Sequence, residues 1–454
     1  MKNLMLHKKY KIITWLVCFL LVIVAEYMFK DAMWGADALN YWTRGEALKD
    51  GEFYLGSIDG FRGYIYPLYL GVINWIGGKT AWYIFNAIVV ATFIAWILPL
   101  MNIENGFNKT VFIKVSISCI LFVIFFIGLF VYPLSDFFSA INICIAIICM
   151  KKALAEERNT FVKYIYIFLS GAFCYLAYNT RTIYMFAGLA MVIIFIVASL
   201  KKIQSVVMLL GEIVVGSVGC FMAAIPQIIM NYINLGKFSI KVPTNGLMLN
   251  QMFWGIQYQR YDTYFATIVD EIHPSPQVYF VDPSGMKILN EMNLTGFGNW
   301  SDFFRLFIAH PVDVTLIYVK HLINFVFPCW PQMYVSDLNS SKWCMGLLGG
   351  TLIFLTFYVF FEKCIKNYKS IVYYIPLVVP AILIIPGAVE YRFSLPFYIF
   401  AICQLCFNVD YQKVKVSFVN KKWKVIFLYL IFILFCFTIW SNMLANESVT
   451  PLLF

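Results

Sequence analysis

The chain has 454 residues, of which 61% are hydrophobic, 19% aromatic and only 13% charged, with a formal net charge of +10. Soluble domains are about half apolar and about a quarter charged, so this composition excludes a soluble globular protein and predicts an all-α polytopic membrane protein. The Lys residues fall in short clusters between apolar runs, a positive-inside pattern and not a basic face, which excludes nucleic acid as a partner.

Lys2, Lys8, Lys9 and Lys11 precede an apolar run from Ile12 to Phe29. That run is too long for a signal peptide, and the stretch after Ala25 is a poor cleavage site, so the expectation is an uncleaved first span with a cytoplasmic N-terminus. Further spans are predicted near 80–100, 111–132, 136–150, 161–178, 182–200, 203–230, 343–361, 370–386, 393–408 and 424–441. The total is about eleven.

This topology places Lys109, then Lys151, Lys152 and Arg158, then Lys201 and Lys202, on the cytoplasmic side. Lys363, Lys366 and Lys369 follow, then the lysines from Lys413 to Lys424, and the C-terminus is extracytoplasmic. The parity holds only if Pro311 to Phe327 does not cross. That segment carries Asp313, Lys320 and His321, which are costly inside a bilayer, so it is read as a membrane-lying or re-entrant helix. Tyr66 to Ile76 is read as a short interfacial helix leading into the 80–100 span. The whole is one membrane-embedded domain, with a first outer loop at 30–79 and a larger one, including the membrane-lying helix, at 236–342.

Most cysteines sit inside apolar runs, and the stretch 236–310 has none. Neither a disulfide framework nor a Cys/His metal spacing is present, and whether a divalent metal takes part is not legible. Glu26 and Glu212 lie within spans and are functional candidates on that ground.

The candidate chemistry lies at span ends. Asp37 opens an amphipathic stretch in which Ala38, Trp42, Gly45 and Leu48 recur at helical spacing; it reads as a catalytic carboxylate or as a helix cap. Asp136, in V-Y-P-L-S-D-F-F, has the same two readings, with Ser135 as the competing cap. Arg181, in A-Y-N-T-R-T-I-Y, reads as a functional cation or as an arginine reaching headgroups. Glu390 and Arg392, in P-G-A-V-E-Y-R-F-S-L-P-F, occupy another outer turn, where a mutual ion pair is the simpler account. Independent capping does not explain why both arginines stay outside against the positive-inside bias. Arginine suits bidentate phosphate contact, and a carboxylate near an acceptor hydroxyl suits a general base. Together they point to displacement at a carbon bearing a lipid-anchored phosphate.

The segment W-G-A-D-A-L-N-Y-W-T-R-G-E-A-L-K-D-G, followed by G-Y-I-Y-P-L-Y, resembles the GT-C superfamily of polytopic glycosyltransferases, which use polyprenyl-phosphate-linked sugars. Within it the chain is similar to the protein-mannosyltransferase and aminoarabinose-transferase-like branch of bacterial envelope enzymes. The S-D-F-F turn, the N-T-R-T segment and V-E-Y-R-F-S-L-P follow in that family's order. The resemblance implies a GT-C-like fold in a bacterial plasma membrane, catalytic carboxylates at Asp37 and Asp136, and donor-phosphate contacts from Arg181 and Arg392. Glu390, Tyr66 and Arg62 support that site. Ala38 stands where many mannosyltransferase-type relatives carry a second acid, which weighs against a metal-bridging role.

The expected activity is therefore transfer of a sugar from a polyprenyl-phosphate donor to a glycan, lipid or protein acceptor of the cell envelope on the extracytoplasmic face. One rival is a polysaccharide polymerase or ligase acting on lipid-linked glycans, using loop arginines such as Arg260 or Arg305. The other is a lipid-glycan flippase or transporter, which calls for matching halves and midplane polar sites that the sequence lacks.

Overall fold

The computed structural model describes residues 2–28, 36–53, 63–102, 109–156, 160–200, 206–244, 246–263, 277–327, 343–366 and 368–448. Arg62 lies outside them. Among the described residues nine helices are long and apolar enough to cross a membrane, and the chain is a multi-pass membrane protein. The expected spans at 370–386 and 393–408 are the exceptions. The chain leaves helical structure between Leu383 and Tyr391, around Pro386. The α-helices on either side, Ile375–Leu383 and Leu395–Cys403, carry Pro376 and Pro396 in their first turns, where the missing N–H costs nothing.

Helix α1 (Lys2–Met28) packs on α3 (Ile65–Thr92) and α5 (Lys109–Val131). Between α1 and α3 lies the amphipathic α2 (Ala36–Lys49), which lies against α3 so closely that a Cβ on Gly45 would sit 2.9 Å from the Gly71 amide. Gly77 and Gly78 leave helical geometry, Gly78 at φ +61°, and break α3 after Ile76. The first piece of α3 is the predicted 66–76 helix. The second continues through a π-helical turn, Phe93–Ile97, into α4 (Leu98–Asn102).

Then come α6 (Ser135–Ala155), α7 (Thr160–Thr180), α8 (Met185–Leu200) and α9 (Val206–Leu235). Helices α7 and α9 run parallel with one register: Lys163 pairs with Glu212 near one end, and Asn179 with Gln227 near the other. Glycines permit this approach. A Cβ on Gly171 would overlap the Gly216 carbonyl, and one on Gly219 the Phe168 carbonyl; small residues serve such contacts in membranes, where burial gives helices little reason to associate. On α9, Val207, Leu210, Val214 and Phe221 face outward, as suits contact with lipid.

The expected loop at 236–310 has a core of its own. Helices α10 (Leu247–Gln257), α11 (Pro283–Glu291), α12 (Trp300–Ala309) and α13 (Pro311–Val326) close over Phe253, Ile256, Ile288, Leu289, Leu306 and Ile317. A small antiparallel sheet, β1 (Tyr258–Thr263), β2 (Gln277–Val281) and β3 (Glu447–Ser448), qualifies the all-α expectation. Because β3 follows the long α17 (Tyr411–Leu444), the sheet ties that end of α17 to the loop.

Helices α12 and α13 meet at a bend of 105°. Two of the three polar residues that argued against a crossing at α13 have partners in the protein: Lys320 Nζ lies 2.6 Å from Asp282 Oδ2, and the buried His321 ring lies between the carbonyls of Ile385 and Tyr258, at 2.5 and 3.0 Å. Helices α14 (Trp343–Phe361), α15 (Ile375–Leu383) and α16 (Leu395–Cys403) complete the bundle. Helix α16 and most of α6 are buried among the other helices.

Candidate functional site

The start of α2, which carries Asp37, meets four further chain segments at one end of the bundle. The first is the entry to α3. Gly63 lies so close to α7 that a Cβ there would overlap the Asn179 carbonyl oxygen. Asn179 Oδ1 accepts from the Ile65 amide at 3.0 Å, and its Nδ2 donates to Gln227 Oε1 at 2.7 Å. Gln227 Oε1 also accepts from the Tyr64 amide at 3.1 Å, and its Nε2 donates to Asn231 Oδ1 at 2.9 Å. Asn231 Nδ2 donates to the carbonyls of Ser239 and Lys241. This buried amide chain locks the α3 entry to the ends of α7 and α9, and buried amides need such partners.

The second segment is the end of α7, where Arg181 takes an extended conformation before a 3-10 turn, Thr182–Tyr184. The third is the start of α6. Its N-cap is Leu134, which makes no side-chain cap, so neither Asp136 nor Ser135 caps this helix. Asp136 lies instead in the first turn, where the helix dipole favours an anion. The fourth is the turn before α16, with Glu390 extended and Tyr391–Ser394 in a 3-10 turn.

The four acidic and basic segments of the sequence argument converge here. Arg392 Nη2 donates to Asp37 Oδ2 at 2.6 Å and to Glu390 Oε1 at 2.7 Å, and its Nη1 lies 3.7 Å from Asp136 Oδ2. Arg181 Nη1 pairs with Asp136 Oδ1. Glu390, Asp136 and Arg392 are nearly inaccessible, whereas Asp37 is 26% and Arg181 19% exposed. The mutual ion pair expected for Glu390 and Arg392 is present, but it belongs to a larger cluster. Three carboxylates thus face two guanidiniums. Beside them is a small cavity of about 20 Å³ lined by Asp136, Arg181 and Arg392 and by largely apolar groups including Tyr184, Ile384 and Phe393.

Tyr66 is buried near the start of α6, its ring 5.4 Å from that of Phe138 and edge-on to Tyr41 at 5.1 Å, and the Tyr41 hydroxyl accepts from Ser135 Oγ at 3.1 Å. Two further residues were not singled out for this site. The Phe393 ring lies against both guanidiniums, with Arg181 Cζ at 4.7 Å and Arg392 Cζ at 5.2 Å from its centroid. Arg260, on β1 and buried, lies 5.9 Å from the Tyr391 ring centroid and brings a third guanidinium close to the 390 turn. Arg305, by contrast, is exposed on α12 beside Asp302.

Among the described residues no group of three or more His, Cys, Asp or Glu gathers as a metal site. The arrangement offers carboxylates that accept protons, guanidiniums suited to oxyanions, and an apolar space next to both. No protein-family model, curated protein or solved structure matches the chain.

Proposed function

We propose that the chain is a GT-C-like glycosyltransferase of a bacterial plasma membrane, moving a sugar from a polyprenyl-phosphate donor to a glycan, lipid or protein acceptor on the extracytoplasmic face. The observation that carries this reading is the meeting of Asp37, Asp136, Arg181, Glu390 and Arg392, drawn from four separate segments, in one ion-pair cluster beside a cavity lined by Asp136, Arg181 and Arg392. Helix capping or headgroup contact by each residue separately does not call for such a meeting.

In the proposed reaction the acceptor hydroxyl oxygen forms a bond to the anomeric carbon, and the bond from that carbon to the phosphate oxygen breaks. The hydroxyl proton passes to Asp37, the most exposed of the three carboxylates. The departing polyprenyl phosphate takes the negative charge and is held by Arg392 and Arg181. In the resting state Arg392 is engaged by Asp37 and Glu390, so a seated phosphate competes for the same donors. Drawing Arg392 away leaves Asp37 free to accept a proton only when the donor is in place. A lipid-linked donor also accounts for chemistry placed away from the lysine-rich end, because nucleotide sugars are kept in the cytoplasm.

The test is reconstitution of the purified chain with defined polyprenyl-phosphate sugars, following donor consumption in wild type and Asp37→Asn. Loss of transfer with normal membrane insertion supports the reading; near-wild-type turnover by Asp37→Asn removes Asp37 from the chemistry. The position of Arg260 beside Tyr391 favours one second reading, a polymerase or ligase of lipid-linked glycans. Activity that survives Asp37→Asn and is lost in Arg260→Ala selects it.

A further inference from the structure

We propose that a groove between α6, α7, α8 and α9 is a binding site for a zwitterionic aminophospholipid, with Glu212 and Lys163 taking the headgroup and the apolar wall taking an acyl chain. The groove has a volume of about 220 Å³ and is lined by residues that include Ile167, Gly171, Cys174, Gly188, Met191 and Glu212. It is separate from the Asp37 cluster. Lys163 stands 18 residues before Arg181 on the same helical path, roughly 27 Å at 1.5 Å per residue, towards the end where α6 carries Lys151 and Lys152.

Its polar lining is nearly all satisfied within the protein. Ser170 Oγ donates to the Ala146 carbonyl, Ser217 Oγ to Ile213 and Cys220 Sγ to Gly171. Glu212 is the exception. It is 1% exposed, one carboxylate oxygen pairs with Lys163, and the other, Oε2, is buried with no hydrogen-bond partner among the described residues. A buried carboxylate oxygen left without a donor is costly, so the groove calls for an occupant that brings an N–H. Lys163 is 11% exposed and has three ammonium protons, which leaves it able to donate to an anion as well.

An anion acceptor and a cation donor side by side complement a headgroup whose ammonium meets Glu212 and whose phosphate meets Lys163. A phosphatidylcholine has no N–H for Glu212, and a phosphatidylglycerol brings a net negative charge to a carboxylate. Gly188 keeps the groove open at its other end, since a Cβ there would meet no atom within 4 Å.

The experiment is native mass spectrometry of the full chain, stripped of lipid in detergent and titrated separately with dioleoyl phosphatidylethanolamine, phosphatidylcholine and phosphatidylglycerol. Wild type should retain one phosphatidylethanolamine about fivefold or more over either of the others, a readily resolved ratio of affinities. Glu212→Gln should lose that preference. Gly188→Phe, whose Cβ meets no atom within 4 Å and whose ring is sized to occupy the groove, should lose the bound lipid altogether, with its melting temperature in lipid-free detergent little changed. Equal retention of the three lipids by wild type, or wild-type retention by Gly188→Phe, overturns the proposal. If Glu212→Gln does not fold, Gly188→Phe decides alone. No outcome depends on sugar transfer, so this site stands or falls apart from the transferase reading.

Discussion

Arg392 and Asp37, separated by 355 residues of chain, are joined at 2.6 Å. This bond fastens the amphipathic α2 to the turn that opens α16, the buried helix of the bundle. It also sets the resting state of the proposed chemistry, in which base and phosphate ligand are engaged with each other.

Replacing Arg392 is expected to do more than remove a phosphate contact. With Asp37 and Glu390 deprived of this guanidinium, the variant Arg392→Ala should lose about 3–5 kcal/mol, the usual cost of breaking a buried pair, and should melt at lower temperature in detergent. Arg392→Lys should fold better and still fail in transfer, because an ammonium cannot serve Asp37 and Glu390 in the planar geometry of a guanidinium. Comparable donor turnover by Arg392→Lys and wild type would count against the phosphate role.

The pair of Asp136 and Arg181 allows a cycle. Arg181→Met leaves Asp136 with Arg392 Nη1 at 3.7 Å as its nearest cation among the described residues; Asp136→Asn leaves Arg181 facing an amide. Each should destabilise the protein by a few kcal/mol, and the double variant by clearly less than the sum, since neighbours in one ion-pair network are not additive. Additive melting shifts would show that the two do not interact.

These charged positions were legible because a charge at the end of an apolar run is conspicuous and costly, so each of Asp37, Asp136, Arg181, Glu390 and Arg392 demanded a reason. Phe393 offered no such signal, being one of 44 phenylalanines. Gln227 and Asn231 did offer one: two amides four residues apart on a long apolar helix share a face, and polar groups in that setting are seldom idle. The sheet was hidden because β3 is two residues long and pairs across more than 160 residues of chain, where local pattern carries no information. Two of the eleven expected spans, at 370–386 and 393–408, fall on helices shorter than the nine long apolar ones among the described residues, a distinction that hydropathy alone does not make.

Phe393→Leu tests whether the ring sets the spacing of the guanidiniums. Cation–π contacts are each worth about 0.5–2 kcal/mol depending on desolvation, and this ring makes two. The variant should lose about 1–4 kcal/mol of stability on that basis, and its KM for the polyprenyl-phosphate donor should rise more than its kcat falls. A change confined to kcat would place Phe393 at the reacting carbon instead.

Gly63→Ala asks how far the site depends on the amide chain beneath it. A methyl group there would overlap the Asn179 carbonyl oxygen, and backbone cannot give way as a side-chain end can, so the α3 entry must move off α7. That movement breaks the bonds of Asn179 Oδ1 to Ile65 and of Gln227 Oε1 to Tyr64, leaving buried polar groups at about 1–3 kcal/mol each. Asn179→Ala removes one side of the same chain without any overlap, and it should cost stability but leave the entry nearer its place. Because Arg181 follows Asn179 by two residues, Gly63→Ala should reduce transfer more than Asn179→Ala does, even at temperatures where both variants are fully folded. The check is a comparison of donor turnover and melting temperature across the two variants. Equal turnover at equal foldedness would mean that the amide chain holds the bundle together without setting the position of Arg181.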